Sequence, residues 1–229
     1  MTAPDLVIFD CDGVLVDSEI IASRVEAELI TRAGFEISAE EIAESYAGLT
    51  FKDILLHIEE KARIPFQASL IDQAEALTDR RLAAEVRAID GAREAVLSVR
   101  GPRCICSNSR TERIDLMLTK VGLKTYFEDR IFSALETPSG KPKPAPDVFL
   151  YAAGKMKADP AKTFVIEDSV HGVAGAKAAG MRVIGFTGAS HTYPGHADAL
   201  TDAGAETVMR RWGELKPVLE ALAEWSENV

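Results

Sequence analysis

The chain is short of positive charge, of cysteine and of long apolar stretches, and each shortage closes off a class of function. Lysine and arginine number 26 against 36 aspartates and glutamates, a formal charge of −10. A nucleic-acid binder needs the opposite balance, because its affinity rests on neutralising phosphates. Only three cysteines occur, Cys11, Cys104 and Cys106, too few for a disulfide framework in 229 residues. Cys104 and Cys106 resemble half a zinc site, but no second Cys/His pair stands at ligand spacing. They read as buried strand thiols, and a cytoplasmic location is expected. No apolar run approaches the ~20 residues that cross a bilayer, so no membrane span is expected. The opening MTAPDLVIFD lacks a basic segment followed by an apolar one, so no secretory leader is expected either. His57, His171, His191 and His196 are scattered and suggest no ligand set. There is no repeat, no low-complexity tract and no GxGxxG after the first strand.

What is present is the composition of a folded globular chain, 47% hydrophobic and 27% charged. Short apolar runs end in polar or small residues: LVIFD (6–10), CICS (104–107), FVIED (164–168) and VIGF (183–186). Runs of this length and β-branched content read as buried strands of a parallel sheet. Between them lie helical patterns. Ile114, Met117, Leu118 and Val121 stop at Gly122, and Val170 to Ala179 stop at Gly180. The alternation predicts a doubly wound α/β domain. One stretch, 18–87, shows helical periodicity and no convincing strand: Leu29, Ile30 and Ala33 before Gly34, Ile54, Leu55 and Ile58 before Pro65, then Ile71, Ala74 and Leu77. The expected organisation is a core of residues 1–17 and 88–229 with a small α-helical insertion, 18–87, after the first strand. Trp212, Trp225, Val218, Leu219 and Leu222 are expected in a terminal helix packed on the sheet.

The first strand runs into Asp10-Cys11-Asp12-Gly13. In an open parallel sheet, ligands bind beyond the carboxyl ends of the strands. Asp10 and Asp12 can converge on one cation if one ligates by its side chain and the other by its backbone carbonyl, and a second strand exit supplies Glu167 and Asp168. Acidic groups crowded in this way call for a cation, and oxygen donors suit Mg²⁺. A third exit carries Ser107, Asn108 and Ser109 ahead of Arg110, hydroxyls and amides suited to an anion, although helix capping would account for them equally well. A fourth segment, KPKPAPD (141–147), fixes lysines between prolines. Metal carboxylates, a hydroxyl nest and a positioned lysine are the parts that phosphoryl transfer requires.

These motifs resemble the haloacid dehalogenase-like (HAD) phosphatases. DCDGVLVDS is similar to the family's first motif, Ser107 to the second, Lys143 in KPAPDVF to the third, and Glu167-Asp168-Ser169 with Gly172 to the fourth, all in family order. Lys141 also fits a KPxP pattern, but Lys143 has the better spacing to the following helix. VDSEIIASR, CICSNSR and EDSVHGVAGAKAAGM look most like the branch that includes 6-phosphogluconate phosphatase; β-phosphoglucomutase is a more distant relative.

The resemblance implies a Rossmann-like core with a helical cap and a Mg²⁺-dependent phosphatase working through an aspartyl-phosphate. Asp10 would be the nucleophile, Asp12 the general acid and base, and Ser107 and Lys143 the phosphate and charge partners. Asp10, Asp12, Asp168 and Glu167 would surround the metal. Gly13, Asn108, Ser109, Arg110, Thr50 and Lys52 are the expected phosphate or substrate contacts. Arg24, Arg80, Arg81 and the Gly48-Leu49 turn are further cap candidates, and an arginine there would suit a carboxylate-bearing sugar phosphate. The mutase branch carries a cap histidine where Ala22 stands here, which favours hydrolysis over transfer. Asp12 argues against dehalogenation, and with the insertion it argues against a receiver-type phospho-acceptor module. The expected partner is a small phosphorylated metabolite, with no nucleic acid and no membrane, and the chain is expected as a monomer or weak homodimer.

Overall fold

The computed structural model describes residues 4–46, 49–63 and 65–226, with the side chains of 225 and 226 excepted. β1 (Leu6–Phe9) leads into four helices, α1 (Glu19–Arg32), α2 (Ala39–Ser45), α3 (Phe51–Ala62) and α4 (Ser69–Glu85). The chain then alternates: α5 (Ala92–Ser98), β2 (Arg103–Ser107), α6 (Thr111–Lys120), β3 (Ile131–Ser133), α7 (Asp147–Met156), β4 (Thr163–Glu167), α8 (Val170–Ala178), β5 (Arg182–Phe186), α9 (His196–Asp202), β6 (Thr207–Met209) and α10 (Leu215–Ser226). The six strands pair in parallel in the order β3-β2-β1-β4-β5-β6.

Period-two alternation divides the strand side chains between two layers. Val7, Phe9, Ile105, Ile166, Ile184 and Phe186 face a core shared with α5, α6 and α10. Leu6, Ile8, Cys104, Cys106, Val165 and Val183 face one shared with α7, α8 and α9. All three cysteines are buried free thiols. The four expected strands are present. β3 and β6, three residues each, escape the sequence pattern because they are the sheet edges, half-covered and too short for periodicity.

Helices α1–α4 bury apolar surface among themselves: Ala27, Ile30, Ile42, Ile54, Leu55 and Ile58 form one cluster, and Val25, Leu29 and Ala74 another. Helix α2 is fixed by a capping box, Ser38 Oγ accepting from Glu41 N while Glu41 Oε2 accepts from Ser38 N. Two chain segments tie these helices to the sheet: Asp17 N donates to Arg87 O, Ile89 N to Leu15 O, and Val16 bridges Ala88 in antiparallel register.

Candidate active site

The exits of β1, β2 and β4 and the loop before α7 meet at the carboxyl end of the sheet. At the meeting point the Lys143 ammonium lies 2.5 Å from Asp10 Oδ1, 2.5 Å from Glu167 Oε1 and 2.7 Å from the Cys106 carbonyl oxygen. Lys143 and Glu167 are buried, whereas Lys141 is exposed, so the second lysine of KPKP is the one turned inward. Asn108 Oδ1 accepts from Lys143 N at 2.8 Å; its side-chain carbonyl holds the lysine loop. The Lys143–Pro144 peptide is cis.

Asp10, Glu167 and Asp168 each present an oxygen within 4.8 Å of the others. Burial pushes Asp10 well above the ordinary carboxyl range; Lys143 pulls it down, while Glu167, Asp168 and Asp12 push it up. Glu167 is raised in the same way, by burial foremost. Burial opposes the charge on Lys143, but Asp10 and Glu167 outweigh it, and the ammonium is held firmly protonated. Three carboxylates with one ammonium leave two negative charges uncompensated, and the donors are all hard oxygen. That set fits a divalent Mg²⁺.

Asp12 sits opposite. Its Oδ1 accepts from Ser18 Oγ at 2.7 Å, and its Oδ2 from Ser107 Oγ at 3.1 Å and Ser109 Oγ at 2.9 Å. Ser109 N in turn donates to Ser107 Oγ at 3.0 Å. Ser18, at the N-cap of α1, makes no capping bond because its hydroxyl is turned to Asp12. Gly13 has φ +69°, and a Cβ there would fall 1.9 Å from Asp168 Oδ2. Its amide donates to Val16 O at 2.8 Å, so Gly13 shapes the turn and offers no amide to an anion. Gly172 is required for a similar reason: a Cβ would lie 2.0 Å from Glu167 Cδ. Ser169 Oγ caps α8 by accepting from Gly172 N, and donates to Glu167 Oε2 at 3.1 Å.

A cavity of about 850 Å³ opens above these groups, between the carboxyl end of the sheet and α1–α4. Thr50 and Arg110 line it. Thr50 Oγ1 also caps α3, accepting from Asp53 N at 3.2 Å and donating to Asp53 Oδ2 at 2.7 Å. Lys52 does not line the cavity. Thr50, Asp53 and Ile54 make up the cavity side of α3 at three- and four-residue spacing, and Lys52 is out of phase with them. Arg24, Arg80 and Arg81 are also outside it: Arg24 is exposed, Arg80 donates to Ala76 O, and Arg81 pairs with Glu28. Leu49 lines the cavity; Gly48, and the Trp225 side chain, lie outside the described residues.

The histidines require a correction. His191 Nε2 lies 3.1 Å from Asp168 Oδ2, His196 Nε2 lies 2.6 Å from the Asp168 carbonyl oxygen, and Tyr193 stacks on His196 with ring centroids 4.6 Å apart. His171 lines the cavity, and His57 stays on α3 with Nδ1 against Asp53 O. His191 and His196 come together because the segment after β5 leaves the same carboxyl end of the sheet as the other exits; the strand-exit rule, applied to that segment, nominates them. Arg113, one turn into α6, and Glu19 and Glu26 on α1 also reach the cavity without any motif to announce them.

A family model described as haloacid dehalogenase-like hydrolase matches residues 4–180. The 6-phosphogluconate phosphatase of Escherichia coli (strain K12) is 29% identical over 197 residues, spanning 85% of this chain and 87% of that protein. Hexitol phosphatase B of the same strain is 30% identical over 187 residues, 77% and 81% of the two lengths. A solved haloacid dehalogenase-like protein of unknown function from Agrobacterium tumefaciens str. C58 has a TM-score of 0.93 at 57% identity, covering 96% of this chain and 100% of that one. A HAD family hydrolase from Deinococcus radiodurans R1, solved with bound phosphate and sodium, has a TM-score of 0.82 at 33% identity over 97% of each chain. The family model spans the three strand exits and the lysine loop that build the acidic pocket, and the chain belongs to the haloacid dehalogenase-like hydrolases.

Proposed function

We propose that the protein is a Mg²⁺-dependent phosphatase that hydrolyses a small phosphorylated metabolite, of the sugar or sugar-acid phosphate class, through an aspartyl-phosphate on Asp10. The observation that carries this reading is the buried Lys143 ammonium held between Asp10 and Glu167, with Asp168 close enough to share a cation with both. The named phosphatases among the relatives support it.

Asp10, Asp168 and the Asp12 carbonyl would hold Mg²⁺, with Glu167 beside them; bound there, the ion offsets the repulsion between a phosphate dianion and a carboxylate. Asp10 Oδ1 is taken up by Lys143, and among the described residues no donor bonds Oδ2, so one oxygen is restrained while the other is available to attack phosphorus in line. Lys143 balances the charge that the nucleophile and the phosphoryl group share. The Ser107 hydroxyl rotates freely and can turn from Asp12 to a phosphate oxygen. Asp12, clamped by hydroxyls on one side of the pocket, gives its proton to the leaving alkoxide and later takes one from the water that hydrolyses the aspartyl-phosphate. Residues 18–87 act as a cap that shields this chemistry from bulk water. Ala22 lines the cavity at the place of the mutase histidine and offers no proton acceptor, which favours hydrolysis.

The test is phosphate release from a panel of phosphorylated metabolites with Mg²⁺, together with trapping of the acyl-phosphate by hydroxylamine. Wild-type enzyme should form a trappable adduct that Asp10→Asn lacks. An Asp10→Asn enzyme with wild-type turnover would sink the assignment.

A further inference from the structure

Above the phosphate pocket, one face of α1 forms a wall of the cavity: Glu19, Ala22, Ser23 and Glu26, the i, i+3, i+4, i+7 face of the helix. Two guanidiniums also line the cavity, each with a carboxylate partner. Arg113 Nε lies 2.6 Å from Asp79 Oδ1, and Arg110 Nη2 lies 3.8 Å from Glu75 Oε2. Glu19 and Glu26 have no hydrogen bond or ion pair among the described residues. Glu19 is open to the cavity and yet surrounded by protein: burial pushes its carboxyl up to about 7, with Asp12 and Asp168 adding to the rise and His191 and Arg113 opposing it. Glu26 is pushed up to about 8, by burial and then by Glu19. Two carboxyls on one cavity wall with no cation bonded to them repel a further anion placed against that wall once they are ionised. Hydroxyl groups are not repelled. A carboxylate accepts two or more O–H donors, and a protonated carboxyl can both donate and accept. An ammonium would meet Arg110 and Arg113 in the same cavity.

We propose that Glu19 and Glu26 select a neutral, polyhydroxylated leaving group, a polyol or neutral sugar monophosphate, and discriminate against leaving groups that carry a carboxylate or a second phosphate. This rests on the phosphatase reading and narrows it, because a sugar-acid phosphate becomes a disfavoured substrate. Ser23, between the two glutamates on the same face, adds a hydroxyl to the row of contacts.

A matched pair tests the proposal. Glucitol 6-phosphate and 6-phosphogluconate differ only at C1, a hydroxymethyl group against a carboxylate. With Mg²⁺ at about pH 8.5, where both glutamates carry charge, kcat/KM should favour glucitol 6-phosphate by about tenfold or more, the size of one like-charge contact in a partly solvated cleft. Glu19→Gln and Glu26→Gln should each narrow that ratio, chiefly by lowering KM for 6-phosphogluconate. Equal or reversed preference in the wild type, or a ratio that neither substitution moves, overturns the proposal. p-Nitrophenyl phosphate, which lacks the polyol, separates the two levels: if it is hydrolysed and neither sugar phosphate is, the selectivity fails alone. If it is not hydrolysed either, the phosphatase reading fails and the selectivity with it.

Discussion

The floor of the cavity holds four carboxylates and the α1 wall two, and the two regions treat them in opposite ways. On the floor, Asp12 accepts three hydroxyl donors, while Asp10 and Glu167 share one buried ammonium. On the wall, Glu19 and Glu26 have no such partners, and their carboxyls rise to about 7 and about 8. A floor that must hold its groups in position during chemistry fixes them through partners, because a misplacement of about 1 Å is costly in rate. It leaves open Asp10 Oδ2, which has no donor among the described residues. A wall that awaits a ligand does better with its acceptors free. Partnering thus fixes the frame around the open Asp10 oxygen on the floor, and on the wall unpartnered carboxyls mark where something is to be recognised.

That contrast can be broken most forcefully at Asp10. Asp10→Asn should lower turnover of p-nitrophenyl phosphate by about 10³-fold or more in steady-state assays, because the amide is a poor nucleophile. Removing divalent metal with EDTA should bring turnover close to background, and added Mg²⁺ should restore it, which a stopped-time phosphate assay can follow. Lys143→Met should cost about 3–5 kcal/mol in urea unfolding, since it leaves Asp10 and Glu167 buried beside each other without their cation.

The wall should respond with the opposite sign. A Glu26 carboxyl raised to about 8 in the folded state from an ordinary 4.5 contributes stability below pH 4.5 that is lost as pH climbs to about 8. Glu26→Gln should flatten that loss and make the protein more stable than wild type at alkaline pH, by about 1 kcal/mol once partial solvent access is allowed for. Denaturant melts at acid and alkaline pH compare the two. The smallest effect belongs to Lys52→Ala, which should leave both the melt and the sugar-phosphate kinetics within about 0.5 kcal/mol of wild type, since Lys52 lies off the cavity face of α3.

Legibility followed length and local chemistry. Strands β1, β2, β4 and β5 could be read because their apolar runs are fully covered on both faces, whereas the edge strands β3 and β6 could not. The groups around Lys143 could be nominated because each sits at a strand exit or in a proline-fixed loop. Lys52, Arg24, Arg80 and Arg81 were reasonable cationic candidates by composition, yet each lies off the cavity. Charge on a helix does not report which way the helix is turned. His191 and His196 form no pattern along the chain because four residues separate them, and the fold of that segment against Asp168 is what brings them together.

The sequence by itself determined the alternation of strands and helices, the order of the four acidic, hydroxyl and lysine motifs, and the family they belong to, because hydrophobic period and local turn chemistry are encoded within a few residues. Only the tertiary structure decided that the Ser18 hydroxyl serves Asp12 and not its own helix, that His191 and His196 close on Asp168, and that α1 presents two unpartnered glutamates to the cavity. Those outcomes depend on groups far apart along the chain competing for the same donors and the same buried space, and that competition is settled only when the chain has folded.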